Sequence, residues 1–203
     1  GKFNEAQERF TKLSEFARRH KGMAIETRAL CGLARTHLAL GNYVDAEKAV
    51  VLASHIIERA PNKSLEILCL GLHGTSQLRQ GNVEAASNNV KKATKLLREN
   101  TISNYDTSFS RVFTAEACMD LALLSKHGTI GEPERHAKKA KQAIGFLEAT
   151  ARQWVVLQPA LQRLNAHWSL LHQDYVKARK SLEKSLALAR RLEMKMDEAM
   201  ALM

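Results

Sequence analysis

Apolar and small residues recur with a helical period in three consecutive stretches of the chain. Residues 1–6, 41–46 and 81–86 each begin with Gly and end with Ala, at a constant spacing of 40 residues. Apolar or small residues stand four, seven and ten residues after each Ala: Phe10, Leu13 and Phe16; Val50, Ala53 and Ile56; Val90, Ala93 and Leu96. These offsets lie on one face of an α-helix. The pattern therefore predicts an amphipathic helix after each Gly.

A second helix is predicted before each of these turns. Leu30, Ala34 and Leu38 align with Leu70, Gly74 and Leu78, again at helical spacing, with a small residue where a neighbouring helix would approach closely. Gly accepts the left-handed backbone on which helices commonly end. Each repeat is therefore predicted to be a helical hairpin with its turn at the Gly.

The remaining sequence carries weaker copies of the pattern. Residues 173–178 repeat the turn with Gln173 in place of Gly, and the polar stretch 100–110 predicts a longer connection. Helices are expected from about 109 to 127 and from 133 to 152, with Pro159 at the start of the next one. The predicted core of that last region comprises Trp154, Leu161, Leu164 and Trp168.

Composition supports a helical chain. The 203 residues are 45% hydrophobic but only 5% aromatic, and strong helix formers dominate, which excludes an all-β fold. Apolar runs are far shorter than the roughly 18–20 residues that span a bilayer, so we expect no membrane insertion. Both ends fall inside the repeat pattern, from which we expect a piece of a longer protein.

The repeats resemble the tetratricopeptide-repeat family in a longer variant of about 40 residues. A small residue, an aromatic or aliphatic turn position and a second Ala recur in the family's order, as Ala34, Tyr43, Ala46 and Ala53, and as Gly74, Val83, Ala86 and Ala93. The resemblance implies an all-α fold, a right-handed α-solenoid of antiparallel helical hairpins forming one domain over 1–203. The expected hairpins are 1–20 (partial), 23–60, 64–99, 109–152, 159–192 and 194–203 (partial).

Motifs that carry chemistry are not found in the sequence. It contains no GxGxxG, Walker A, HExxH or GxSxG pattern. Cys31, Cys69 and Cys118 have no CxxC spacing, and His167 and His172 are spaced five apart, which does not suit a metal site on a helix. We expect no catalytic residues, cofactor or metal. The odd cysteine count favours a reducing, cytoplasmic setting.

The family resemblance also suggests a partner-binding surface. In such arrays the first helices line a concave groove, which would place Arg28, Cys31 and Arg35, then Leu68, Thr75 and Arg79, then Arg163, His167 and Leu170 there. Guanidinium groups form bidentate bonds with carboxylates, so this groove suits an acidic or C-terminal peptide. The candidate binding residues are Arg28, Arg35, Arg79, Arg163 and His167. The alternatives are a groove filled by another domain of the same protein, or one filled by water.

Charge is unevenly distributed. The net charge is +10, and residues 133–191 hold twelve basic and four acidic side chains. This excess indicates either a surface for an acidic partner, nucleic acid or anionic lipid, or a solvated outer face. Nucleic acid is less favoured because no aromatic residues interleave with Lys138, Lys139 and Lys141.

The sequence thus favours a non-enzymatic protein-interaction or scaffolding module that presents a groove to a peptide or protein. An alternative comes from residues 180–192, which resemble helices in the repeat tails of large signalling ATPases and nucleotidyl cyclases. On that interpretation the chain is the regulatory tail of a multidomain enzyme. Binding of nucleic acid through the basic last third is a less favoured third hypothesis.

Overall fold

The computed structural model describes residues 2–99 and 104–202, and in these ranges all regular structure is helical. In chain order the α-helices are α1 Phe3–Arg19, α2 Met23–Ala39, α3 Tyr43–Arg59, α4 Lys63–Arg79, α5 Val83–Glu99, α6 Tyr105–Lys126, α7 Pro133–Ala151, α8 Gln158–Leu171, α9 Tyr175–Arg191 and α10 Lys195–Leu202. A short 3₁₀ turn, Val155–Leu157, precedes α8. The prediction of an all-α fold is confirmed.

The described residues divide into two compact units, 2–114 and 115–202, and the division falls within α6. In the 2–114 unit, helices that follow one another in sequence pack together from α1 to α5, and α2 also packs against α4. A core cluster of this unit consists of side chains from α2, α3 and α4 and from the first half of α6, among them Leu30, Val50, Leu65, Leu72 and Phe113. Apolar burial therefore holds each helix of this unit to its neighbours.

The 115–202 unit is built in the same way. The helix α8 packs against both α7 and α9, and α10 packs against α9. Met119, Leu147, Leu157 and Leu164 are completely or almost completely buried. Leu161 is also buried, as predicted, whereas Trp154 and Trp168 are only half-buried. Trp168 instead lies against His172 and within 5.9 Å of the Lys141 ammonium group.

The turns between helices confirm the role predicted for glycine. Gly41 and Gly81 adopt left-handed backbone, with φ of 78° and 81°. Gln173 takes the same conformation without being Gly, with φ of 62°. The weaker copy at residues 173–178 is therefore a turn of the same kind.

The start of α6 corrects one prediction. The polar stretch 100–110 was expected to be a connection, but the helix begins at Tyr105, while residues 100–103 lie outside the described ranges. Asn104 explains this, because its side-chain oxygen accepts a hydrogen bond of 2.9 Å from the backbone N–H of Thr107. Its side-chain amide donates to the Ser64 hydroxyl in α4 at 3.0 Å. Polar residues that predicted a loop thus cap a helix.

None of the helices in the described ranges combines the length and the apolar character needed to cross a membrane.

Candidate partner-binding site

The helix α2 presents two arginines beside the beginning of α6. The Arg28 guanidinium donates through Nε to Oδ2 of Asp106 at 3.0 Å, and its Nη2 forms an ion pair with the same oxygen at 2.9 Å. The Arg28 side chain is 50% exposed, whereas that of Asp106 is only 7% exposed. A buried carboxylate therefore fixes the position of a guanidinium whose side chain is half exposed to solvent.

Arg35 lies two helical turns further along α2 and contacts aromatic rings. Its guanidinium carbon is 4.4 Å from the centre of the Phe109 ring and 5.6 Å from that of Phe113. Such cation–π contacts stabilise the position of an arginine. In the described part of the chain, Arg35 is therefore held by rings and not by a carboxylate.

The two remaining surface candidates lie on α4 and α8. Arg79 is exposed in the last turn of α4, where it lines a shallow depression with Gln80 and the turn at residues 41–45. His167 is half-buried in α8, in the other unit. The structure thus brings Arg28 and Arg35 together on α2 and places His167 in a separate unit.

Arg163 corrects the predicted register of α8. Its side chain is only 3% exposed and pairs with two carboxylates, Asp197 at 3.1 Å and Glu116. Burial alone would lower the pKa of Arg163, but the attraction of both carboxylates raises it. Burial raises the pKa of Glu116, although Arg163 opposes this effect. Arg163 was expected in a groove facing a partner, but it is an interior charge neutralised within its own unit.

Three further residues that were expected to line the groove, in the 2–114 unit, are also buried. Cys31, Leu68 and Thr75 are 1%, 5% and 7% exposed, so they belong to the interior. Helix α2 is buried on a wide face, because it packs against α1, α3 and α4 together. The surface of α2 that remains for a partner is therefore narrower than predicted and is marked by Arg28 and Arg35.

A polar cluster between α3 and α4 was missed in the sequence. Gln77 and Gln80 donate to the two carboxylate oxygens of Glu47 at 3.1 and 2.7 Å, and His73 Nε2 lies 3.1 Å from Oε1. Burial alone would raise the pKa of Glu47, but these hydrogen bonds hold it below its ordinary value. The available signal was the spacing of His73, Gln77 and Gln80, which puts three polar side chains on one face of a helix.

A cleft of about 530 Å³ lies beside this cluster, on the surface of the 2–114 unit. Its lining includes Ser54 and His55 of α3, Glu66, Cys69 and His73 of α4, and Asn89 of α5. Across the described ranges no group of three or more His, Cys, Asp or Glu side chains is arranged to hold a metal ion. We name this space the α3–α5 cleft.

Part of the basic excess of residues 133–191 is compensated locally. Five of its arginines pair with carboxylates within the 115–202 unit: Arg135 with Glu132, Arg152 with Glu148, Arg163 with Glu116 and Asp197, Arg179 with Glu183, and Arg190 with Glu198. All but Arg163 are exposed, and exposed pairs of this kind contribute little to stability. The pairing favours the interpretation as a solvated outer face.

No protein-family model matches the chain, and a search of curated proteins also found no match.

Proposed function

We propose that the chain is a tetratricopeptide-like right-handed α-solenoid acting as a non-enzymatic protein-interaction module, and that its 2–114 unit binds an acidic peptide segment. The observation that carries this proposal is the pair Arg28 and Arg35, two turns apart on α2 and both braced by the beginning of α6. Two fixed cations on one helix face suit two carboxylates of an extended peptide.

The repeated corners between helices support the solenoid. Arg18 at the end of α1 donates to Glu26 in α2 at 2.8 Å, and Arg190 at the end of α9 donates to Glu198 in α10 at 2.9 Å. Both pairs are separated by eight residues. Lys21 and Glu193 between them share left-handed backbone, with φ of 57° and 55°. The same corner thus occurs in both units, as expected for a repeat array.

The bracing of the two arginines favours binding over a purely structural role. Arg28 keeps its bond to Asp106 while half of its side chain stays in water, so a ligand carboxylate can reach the guanidinium from solvent. The ring contacts of Arg35 reduce the side-chain freedom that binding would otherwise remove. Ligand binding therefore costs less conformational entropy here than at a mobile surface arginine.

The test is a selection of peptides from a displayed library that is rich in Asp and Glu, followed by affinity measurements with synthetic peptides. Arg28→Ala and Arg35→Ala should each weaken the selected peptides by roughly 10- to 100-fold, the range for losing a charged hydrogen bond. Asp106→Asn should weaken binding, because it removes the charged bond that holds the Arg28 guanidinium in place.

Arg59→Ala is the matched control, because it removes the same charge from an exposed position at the end of α3. Equal weakening by Arg59→Ala would show that net charge alone attracts the peptides and would overturn the assigned site. Selection of no acidic peptide would contradict the proposal itself. A parallel titration with single-stranded RNA should give no binding that depends on Arg28 or Arg35.

A further inference from the structure

Two buried thiols meet where α2 packs against α4. Cys31 Sγ and Cys69 Sγ are 3.5 Å apart, and the two residues are 1% and 2% exposed. Apolar side chains of the same core surround them, including Leu30, Leu68 and Leu72. Both cysteines are reduced in the structure. Two sulfur atoms in van der Waals contact on neighbouring helices are close to the geometry from which a disulfide forms.

We propose that Cys31 and Cys69 are an oxidation site, which a peroxide converts into an intramolecular disulfide that links α2 to α4. The sulfur atoms would close from 3.5 Å to the bonded distance of about 2.05 Å. Rotation about the two Cα–Cβ bonds and a small approach of the helices provide this movement. The helices α2 and α4 pack directly on each other, and both cysteines belong to the core cluster between them.

The surroundings of the pair explain why it stays reduced until an oxidant is present. The hydrogen bond with Cys31, and then burial, raise the pKa of the Cys69 thiol well above its ordinary value. The thiolate is the form that attacks peroxide, so the pair reacts slowly in the closed core. It should not behave as a sensor of trace peroxide.

The α3–α5 cleft offers the oxidant a route to one of the two sulfurs. Cys69 is among the residues that line this cleft, together with His73 and Glu66, whereas Cys31 is not. We therefore expect Cys69 to be oxidised first. Cys31, on the opposite side of the pair, is then placed to resolve the product.

The chemistry balances with one peroxide for each pair of thiols. Deprotonated Cys69 attacks one oxygen of hydrogen peroxide; an S–O bond forms, the O–O bond breaks, and the departing hydroxide takes up the thiol proton as water. Cys31 sulfur then attacks Cys69 sulfur; the S–S bond forms, the S–O bond breaks, and a second water leaves with the Cys31 proton. Each thiol gives up one electron and the peroxide gains two.

The test treats the full chain with hydrogen peroxide and follows intact mass and peptide maps without reduction. Wild type should lose the mass of two hydrogen atoms and yield one linked peptide pair containing residues 31 and 69. A dithiol reductant should reverse this. Because the bond constrains the unfolded chain, the thermal midpoint of the oxidised protein should rise.

Three single variants locate the reaction. Cys118→Ala should behave as wild type, since Cys118 lies in the 115–202 unit. In Cys31→Ala, Cys69 should gain oxygen instead of forming a bond, whereas in Cys69→Ala the oxidation at Cys31 should be slower. Linkage of Cys118, dimers between chains, or oxygen added to both Cys31 and Cys69 of wild type without a linked pair would each overturn the proposal. The wild-type peptide map keeps the test decisive even where a variant folds poorly.

The effect of the bond on peptide binding rests on the proposed function. Helices α2 and α4 carry Arg28, Arg35 and Arg79, so a bond between the helices should change the affinity for an acidic peptide. Mass spectrometry reads the disulfide in the absence of any peptide. A disulfide that forms in a protein with no peptide affinity would leave this inference intact and contradict only the proposed function.

Discussion

The same position of two hairpins holds opposite chemistry in the two units. Cys31 and Arg163 each lie ten residues before a left-handed turn residue, Gly41 in one case and Gln173 in the other. Both are almost fully buried, at 1% and 3% exposure. Cys31 meets Cys69 within an apolar cluster, whereas Arg163 meets Glu116 and Asp197. Equivalent positions in two hairpins therefore do not determine which kind of interaction joins the first helix of each hairpin to its neighbours.

The arginines of the two units also differ in their exposure and in the number of carboxylates they pair with. Arg28 pairs with one carboxylate and keeps half of its side chain in water, while Arg163 pairs with two and keeps almost none. A half-exposed guanidinium can keep its internal partner and still reach an external carboxylate from solvent. A buried guanidinium cannot, because its departure leaves two carboxylates desolvated. Exposure, not residue type, distinguishes a binding arginine from a structural one here.

The largest effect is expected from Arg163→Met, which should lower the free energy of unfolding of the 115–202 unit by about 3–5 kcal/mol. The variant keeps a side chain of comparable length but leaves Glu116 and Asp197 without their common cation. Urea unfolding followed by circular dichroism measures the change.

Arg152→Ala is the control for this substitution. Its pair with Glu148 is exposed, and its loss should change stability by less than about 0.5 kcal/mol. A small effect of Arg163→Met, comparable to that of the control, would mean that water reaches the carboxylates and that the two units do not differ as described.

The cost of Arg163→Met should depend on pH. Burial raises the folded-state pKa of Glu116 above its ordinary value of 4.5, so its favourable contribution is complete below that value and is lost as pH rises through the folded pKa. Without Arg163 that pKa rises further, so stability is lost over a wider pH interval and the total loss is larger. Unfolding at a series of pH values should show a deficit that is small in acid and grows toward neutrality. A deficit independent of pH would assign it to packing instead.

The sequence predicted the helices better than it predicted these contacts. The period of 40 residues and the turn glycines located most helices, since both depend on local backbone preferences. The start of α6 was missed because a polar residue such as Asn104 serves equally in loops and caps. The burial of Arg163 was missed because its two carboxylate partners are 47 and 34 residues away in the sequence, and no local pattern indicates such distant contacts.

An intermediate loss of stability is expected when the close packing of α1 on α2 in the 2–114 unit is disturbed. A Cβ atom on Gly32 in α2 would lie 2.5–2.6 Å from ring carbons of Phe10 in α1. Gly32→Ala should therefore destabilise the protein by about 1–3 kcal/mol, the usual cost of overpacking. Combining it with Phe10→Leu should cost less than the sum of the single changes.

Gly145→Ala in α7 is the matched control for Gly32→Ala, because nothing lies within 4 Å of the added atom. It should stabilise the protein by about 0.5–1 kcal/mol through helix propensity alone. If Gly32→Ala stabilised the protein as much as Gly145→Ala, then α1 would not pack closely against Gly32 of α2.

The smallest change in stability is expected from Arg28→Ala, at about 1 kcal/mol, because only one carboxylate loses its cation and the helix dipole compensates part of that loss. Half of the Arg28 side chain is already in water, and the Asp106 carboxylate that it leaves lies in the first turn of α6, where the helix dipole favours a negative charge. Urea unfolding of Arg28→Ala beside Arg163→Met measures the contrast directly. A loss as large as that of Arg163→Met would make Arg28 a structural residue of its unit, and any weakening of peptide binding by Arg28→Ala would then report unfolding. A small loss of stability together with weakened peptide binding would show that the Arg28 side chain contributes mainly to binding.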